Sequence, residues 1–435
     1  MATTITPTIV NLNVTQTVAA TPSQLQQSGA IVSCGGTTLA AGTYQYCGAP
    51  SAVTAILAAP LAITSMAWAS GTVTATVAAM TLSVGQTFTT TISGAVPAGY
   101  NGTYVATVVT STTFSFALAV SPGTETTPGT YTPPYQAFVE DSITTFFAQG
   151  QTVGVYVLEL GPEATSSAGI TALGTWITAN SNPQVFYAYL LARSWDGAAL
   201  NTLAATYASP NGRTYFIPTS TSATVTDYNP NKSVLAVVPS PTAPATEEPA
   251  AAFLYQMLVN QPSAATPAGP LAFRYLYGVT AWALNSTALN TILTAYGNYI
   301  GTGSEGGISL DIAFKGTTAD GTQFMWWYGI DWVAIQVKQA LANAVINGSN
   351  SNPPLVYNQA GINSLLAVAQ NVCNSAVAFQ LVLSATVTAT PFATYVQQNP
   401  NDYAAGLYKG FACTIVGQNG FLTVTFNIDA TQFVA

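Results

Sequence analysis

The chain has 435 residues, 49% of them hydrophobic and 11% aromatic but only 5% charged, and it has no histidine. Fifteen acids against seven bases give a net charge of −8, and no Lys, Arg, Asp or Glu precedes Glu125. Such length and apolar content exclude a disordered chain and allow more than one core. The scattered bases exclude nucleic-acid binding by phosphate neutralisation, and a surface so poor in charge is suited to lying against other protein.

Residues 1–15 lack the basic stretch and apolar run of a signal peptide, so the protein is expected to stay where it is made. Residues 9–18 set Val10, Leu12, Val14 and Val18 against Asn11, Asn13, Thr15 and Thr17. That is the two-residue period of a strand with one apolar face. Pro7 and Pro22 flank it, which makes it an extended arm. Residues 53–68 are uncharged, but Pro60 interrupts them and no Lys or Arg flanks them, so no membrane insertion is expected.

Between residues 63 and 134 the text becomes Thr- and Val-rich: GTVTATVA, GQTFTTTISG, GYNGTYVATVV, TTFSFALA. Short strands at even spacing with Gly, Pro and Asn-Gly punctuation predict an all-β sandwich. Strand and helix then alternate, with strands over 153–160, 185–191 and 214–218 and helices over 168–179 and 198–207, which is α/β text. Residues 242–249, with Glu247 and Glu248, read as a solvated crossover, and residues 261–270 as another. Residues 324–330 read as a buried strand leading to a helix capped by Asp331, in which Val333, Val337, Ala340, Leu341, Ala344 and Val345 hold helical spacing up to Asn347-Gly348. Ile362, Leu365, Leu366, Ala369, Val372 and Cys373 mark a second amphipathic helix. At the end Leu422, Val424, Phe426 and Ile428 alternate with Thr423, Thr425, Asn427 and Asp429, a second terminal strand in need of a partner.

Motifs for chemistry are weak. Gly301, Gly303 and Gly306 match the dinucleotide fingerprint, but a strand-like run follows instead of a helix, so they predict a turn and no cofactor. Without histidine no Ser-His-Asp or Cys-His arrangement exists. The acidic groupings are Glu140-Asp141, Glu247-Glu248, Glu305 with Asp311, and Asp320 with Asp331, each with a structural alternative: Asp141 and Asp331 as caps, Asp320-Gly321 as a hairpin turn. Cys34, Cys47, Cys373 and Cys413 lack metal spacing and read as buried free thiols. Phe146-Phe147, Trp326-Trp327-Tyr328, and Tyr275 with Tyr277 could form a carbohydrate platform, although Trp327 and Trp332 read as packing residues. Sequons at Asn13, Asn101, Asn231, Asn285 and Asn347 matter only in a secreted protein. No catalytic, cofactor or metal site is expected.

Several long stretches together resemble the sheath proteins of contractile bacteriophage tails: VTQTVAATPSQLQQSGAIVSCGGTTLAAGTYQY, ITTFFAQGQTVGVYVLELG, QVFYAYLLARSWDG, KSVLAVVPSPTAPATEEPAAAFLYQML, FRYLYGVTAW, NYIGTGSEGGIS and FMWWYGIDWVAIQVKQALANAVINGSN. The stretch between residues 71 and 118 separately resembles immunoglobulin-like modules inserted into phage structural proteins. The resemblance implies an α/β (mixed α+β) sheath-type body with an inserted immunoglobulin-like sandwich and extended N- and C-terminal arms. The implied parts are an arm at 1–18, a body at 19–62 and 136–345, an insertion at 63–135, and a C-terminal domain at 346–435. It implies a non-enzymatic virion protein, assembled in the host bacterial cytoplasm, that stacks as hexameric rings around the tail tube and contracts to drive the tube through the host envelope. Its partners would be itself, the tube protein, and baseplate and terminator proteins. The arm residues would be Val10, Leu12, Val14, Val18, Leu422, Val424, Phe426 and Ile428. The competing reading is a virion adhesin or decoration protein that binds host glycan through the immunoglobulin-like module.

Overall fold

The computed structural model describes residues 22–425, apart from 182, 210–211, 264 and 284–286. The arm residues Val10, Leu12, Val14, Val18, Phe426 and Ile428 lie outside the described residues. After a 3-10 turn (Pro22–Gln27) come β1 (Gly29–Ser33), β2 (Tyr44–Cys47) and the short helix α1 (Pro50–Thr54). The chain then builds β3 (Leu61–Ala69), β4 (Thr72–Val77), β5 (Thr87–Ser93), β6 (Gly102–Thr110), β7 (Thr113–Ala117) and β8 (Thr130–Tyr131).

These six strands form a closed barrel in the order β3-β4-β7-β6-β5-β8, where a two-sheet immunoglobulin-like sandwich was expected. The difference lies in β8. Its two residues pair with both β3 and β5, joining edges that a sandwich leaves open. Alternation is the rule inside, with Val73, Ala75, Val77, Phe88, Thr90, Ile92, Phe114 and Phe116 turned inward. Glu125, the first charged residue of the chain, accepts a hydrogen bond from Met66 N at 2.9 Å, next to the register shift in β3.

The chain returns through α2 (Pro134–Ala148), then runs β9 (Val155–Glu159), α3 (Ser166–Ala179), β10 (Ala188–Leu191), α4 (Ala198–Ala205) and β11 (Tyr215–Pro218). The sheet order is β11-β10-β1-β9-β2, with only β2 antiparallel to its neighbour. Both faces are covered, which is why β1, β10 and β11 are buried at every position and, apart from Ser33 and the tyrosine hydroxyls, carry no polar side-chain group. Helix α5 (Pro249–Leu258) presses Leu254 and Leu258 onto Gly29, where an added Cβ would lie 2.8 Å from Leu258 Cδ1. Gly29 pairs with Ala188 and Ala30 with Tyr189, so alternation puts Tyr189 on the opposite face. There Trp176 of α3 meets it edge-on at 6.4 Å.

Beyond β11, Val234 and Val237 bridge to Phe216 and Thr219, and Val237 bridges on to Asn298. Residues 242–246 stay at the surface as expected, but the acidic end of that crossover is interior: Glu247 and Glu248 are buried, α5 begins at Pro249, and the carboxylates are held by Thr280, Arg193 and Thr219. After α6 (Thr287–Thr294), β12 (Tyr299–Thr302) and β13 (Asp311–Phe314) make an antiparallel hairpin. Gly301 lies within β12, paired with Ile312, and not in the expected turn, whereas Gly303 and Gly306 belong to the connection, closed by Gly307 at φ 69.

Helix α7 (Phe324–Ser349) begins at Phe324, so residues 324–330 are helix and not the expected strand, and Asp331 is an interior residue and not an N-cap. A continuous apolar run cannot separate the two periods. Here Phe324, Met325, Tyr328 and Asp331 share the buried face. Gly329 is required on that face because any Cβ would collide with the Leu381 carbonyl oxygen. The C-terminal part consists of α8 (Gln359–Ala378), β14 (Val382–Ala389), α9 (Phe392–Gln398), the short α10 (Pro400–Ala404) and β15 (Phe411–Gly417).

Candidate assembly interface

β14 and β15 pair only with each other among the described strands. Val382, Ala385 and Val387 bury one face of β14 against α8, which contributes Ala369, Cys373 and Ala376. Gln370 of α8 treats the outer edge of β14 as a neighbouring strand would. Its amide donates to Ala385 O at 3.2 Å and accepts from Val387 N at 2.9 Å. Since Ala385 and Val387 thus point away from β15, antiparallel alternation turns the backbone groups of their partners Ile415 and Cys413 toward the other edge. That edge of β15 meets no other described strand. Around it Leu383 and Val416 are exposed.

The two ends of the described chain are fixed to one place, the first turns of α7. Gln323 and Gly420 exchange hydrogen bonds, with Gln323 Nε2 donating to Gly420 O at 2.9 Å and Gly420 N to Gln323 Oε1 at 2.8 Å. Past this tether Phe421 is 83% and Val424 76% exposed, and Leu422 and Val424 belong to no described strand. At the other end Gln26 Nε2 donates to Tyr328 O at 3.0 Å.

The start of α7 is itself pinned to the central sheet. Asp331 accepts from the hydroxyls of Tyr187 and Tyr215, both at 2.9 Å, and lies 3.7 Å from Arg213 Nε. The Arg213 guanidinium stacks 3.8 Å over Trp327. Burial pushes the Asp331 carboxyl up to about 6, with Arg213 and the two tyrosines opposing the shift.

A second charged group sits where the barrel meets the body. Gln86 Nε2 donates to Ser194 O at 2.6 Å and Gln86 Oε1 accepts from Ser166 Oγ at 2.7 Å, while Thr89 Oγ1 reaches Ala245 O at 3.3 Å. Beside them Arg193 Nε donates to Glu248 at 2.8 Å. Asp141 lies within α2 and is not the expected cap. Burial raises its carboxyl to about 8, helped by the charges of Glu248 and Glu140 and opposed by Arg193. Its folded value exceeds the unfolded one, so its contribution to stability is complete below about 3.8 and is lost as pH rises through about 8. Asp141→Asn is expected to be near-equal to the parent at pH 3.5 and increasingly more stable than it as pH rises toward 8, by at most about 1.4 kcal/mol per pH unit, as read by urea denaturation.

At the carboxyl ends of β1 and β9, where open α/β sheets hold ligands, the space is taken by Glu159. It accepts from Ser33 Oγ, Gly35 N, Thr37 N, Thr37 Oγ1 and Gly161 N at 2.6–3.2 Å. Its burial and five donors make it a clamp between strands. Of the acidic groupings, Asp320 forms a turn with Thr318 and Thr322, away from Asp331 in its tyrosine–arginine cage. Asp141 and Glu248 come together across α2 and α5, and Arg193 is the member that sequence spacing missed. Among the described residues no three His, Cys, Asp or Glu side chains gather as a metal site. Phe146 and Phe147 are core residues, whereas Tyr275 and Tyr277 are exposed.

No family model and no curated protein matches this sequence. Among solved structures, a chain in the cryo-EM structure of the anti-feeding prophage (AFP) baseplate, 6-fold symmetrised, aligns with a TM-score of 0.56 at 12% identity, covering 98% of this chain and 100% of that one. The chain has the fold of that baseplate chain. A chain of the same baseplate in the contracted state gives a TM-score of 0.50 at 12% identity over 98% and 99%. The sheath tail protein Lin1278 from Listeria innocua aligns over 90% of this chain and 94% of its own length, at 10% identity and a TM-score of 0.44. For the two baseplate chains the likeness is one of fold.

Proposed function

We propose that this chain is a structural subunit of a contractile tail sheath, which polymerises as hexameric rings around a tail tube and contracts to drive the tube through the host envelope. The observation that carries the proposal is the two-stranded β14–β15 sheet with an edge that meets no other described strand, in a chain whose described ends are both tied to the start of α7. Strands centred on Val10, Leu12, Val14 and Val18, and on Leu422, Val424, Phe426 and Ile428, would add to that sheet in neighbouring copies. Heterologous contacts of this kind do not close on two subunits, so they generate rings and helical tubes. The fold shared with prophage baseplate chains, one of them in a contracted assembly, supports the same reading. Partners under this proposal are further copies, the tube protein, and baseplate and terminator proteins, in a virion tail assembled in the bacterial cytoplasm. No described helix is long and apolar enough to cross a membrane.

The adhesin alternative finds no aromatic platform on the barrel, and the exposed Tyr275 and Tyr277 lie outside it. All aromatic side chains of the barrel, including Trp68, Tyr100, Tyr104, Phe116 and Tyr131, are buried or half-buried. The proposal gives the 5% of charged residues a purpose, since contacts made of main-chain hydrogen bonds and apolar area need few ions. Negative-stain electron microscopy of the purified protein tests it. Striated hollow tubes or stacked rings are expected, persisting from about 0.1 to 0.5 M salt because screened ion pairs contribute little. Monodisperse particles, with or without a tail tube added as template, would overturn the proposal.

A further inference from the structure

The two thiols at the C-terminal sheet go beyond the expectation of four inert, buried cysteines. Cys34, Cys47 and Cys373 are buried, whereas Cys413 is exposed. Cys413 pairs with Val387, whose side chain packs on α8, so Cys413 sits on the helix-facing side of β15. Its Sγ lies 3.8 Å from Sγ of Cys373, which projects from α8. The two positions are 40 residues apart in sequence and belong to different elements, so the contact is made by the fold and not by local spacing. A disulfide needs about 2.05 Å between the sulfurs. Rotation of the exposed Cys413 side chain, together with a small movement of the edge strand, can supply the difference.

We propose that Cys373 and Cys413 form a reversible disulfide that staples β15 to α8 once the protein leaves a reducing compartment. The oxidant is a small-molecule disulfide, RSSR. The thiolate of Cys413 attacks one of its sulfurs, which forms a Cys413–S–S–R bond, breaks the R–S–S–R bond and releases one RS⁻. The thiolate of Cys373 then attacks Cys413 Sγ, forms the internal disulfide and expels the second RS⁻. The protein loses two protons and two electrons, and RSSR is reduced to two RSH. Burial and the neighbouring Cys413 push the Cys373 thiol up to about 12, so the closing step is expected to quicken as pH rises. The bond leaves the open edge of β15 free. Where that edge receives an arm, a consequence that rests on the assembly proposal, the staple would hold the strand in place under load.

The test uses the full chain, purified under reductant and incubated with oxidised glutathione at pH 8. Free thiols are counted after denaturation, and intact mass is measured. The expected result is a fall from four thiols to two, a mass lower by two hydrogens with no glutathione retained, and a cross-linked fragment containing Cys373 and Cys413. The Cys373→Ser variant is expected to stop at one glutathione adduct, and Cys413→Ser to remain unmodified. A parent protein that keeps glutathione on Cys413, retains all four thiols, or links through Cys413 to a second chain would overturn the proposal. None of these readouts requires polymerisation, so failure here is separable from failure of the sheath reading.

Discussion

Removing residues 1–18 or residues 421–435 is expected to abolish tube formation while leaving a folded monomer. The C-terminal cut falls after the Gln323–Gly420 tether and the N-terminal cut before Gln26, so the hydrogen bonds that anchor each end to α7 survive. What is lost is the strand that a neighbour would receive. A strand of this length adds on the order of five main-chain hydrogen bonds at about 0.5–1.5 kcal/mol each, together with the apolar faces of Val10, Leu12 and Val14 or of Leu422, Val424 and Phe426. Several kcal/mol per contact corresponds to a loss of two or more orders of magnitude in association constant. Circular dichroism and thermal unfolding should be close to those of the parent, and electron microscopy should show no tubes. Tubes formed by either truncated protein would refute the arm assignment. In the intact chain Gln370 caps the outer edge of β14, so β15 offers the less obstructed site for an incoming strand.

The second large effect is expected at Arg213. Replacing it with Met leaves Asp331 buried beside two tyrosines with no cation, and removing one partner of a buried pair costs about 3–5 kcal/mol. The loss should be greatest above the folded-state value of about 6 and smaller at pH 5, where the carboxyl takes up a proton. Arg213→Met combined with Asp331→Asn should recover much of the stability, because the amide oxygen still accepts from Tyr187 and Tyr215 without a charge. Urea denaturation of the three proteins at pH 5 and pH 8 measures this directly. An Arg213→Met protein as stable as the parent at pH 8 would show that the pair does not hold α7 to the sheet.

The helices after residue 331 and the strands from 153 to 218 were legible because period and punctuation agree there: α3, α4, α8, β9 and β11 fall where the text predicts them. The residues around 324–330 were not, since Phe, Met, Trp and Tyr in succession satisfy either period. The choice of helix is made by Gly329, which fits against the Leu381 carbonyl 52 residues away in sequence. Glu247 and Glu248 misled for the same reason. Two acids between prolines look solvated until Arg193, Thr219 and Thr280 arrive from distant segments to pair them.

By itself the sequence determined the fold class. Strand–helix alternation is a property of local spacing and points to an α/β body, while the uncharged first quarter and the alternating terminal runs are what motivate the assembly proposal. Only the tertiary structure decided how the all-β segment closes, where the two chain ends leave the body, which edge of the β14–β15 sheet stays open and which two cysteines touch. Each of these depends on residues far apart in the chain meeting at a few ångströms, as β8 does with β3 and β5, Gln323 with Gly420, Gln370 with Val387, and Cys373 with Cys413. Local propensity carries no record of such meetings, because the free energy that selects them comes from packing and from the pairing of buried polar groups.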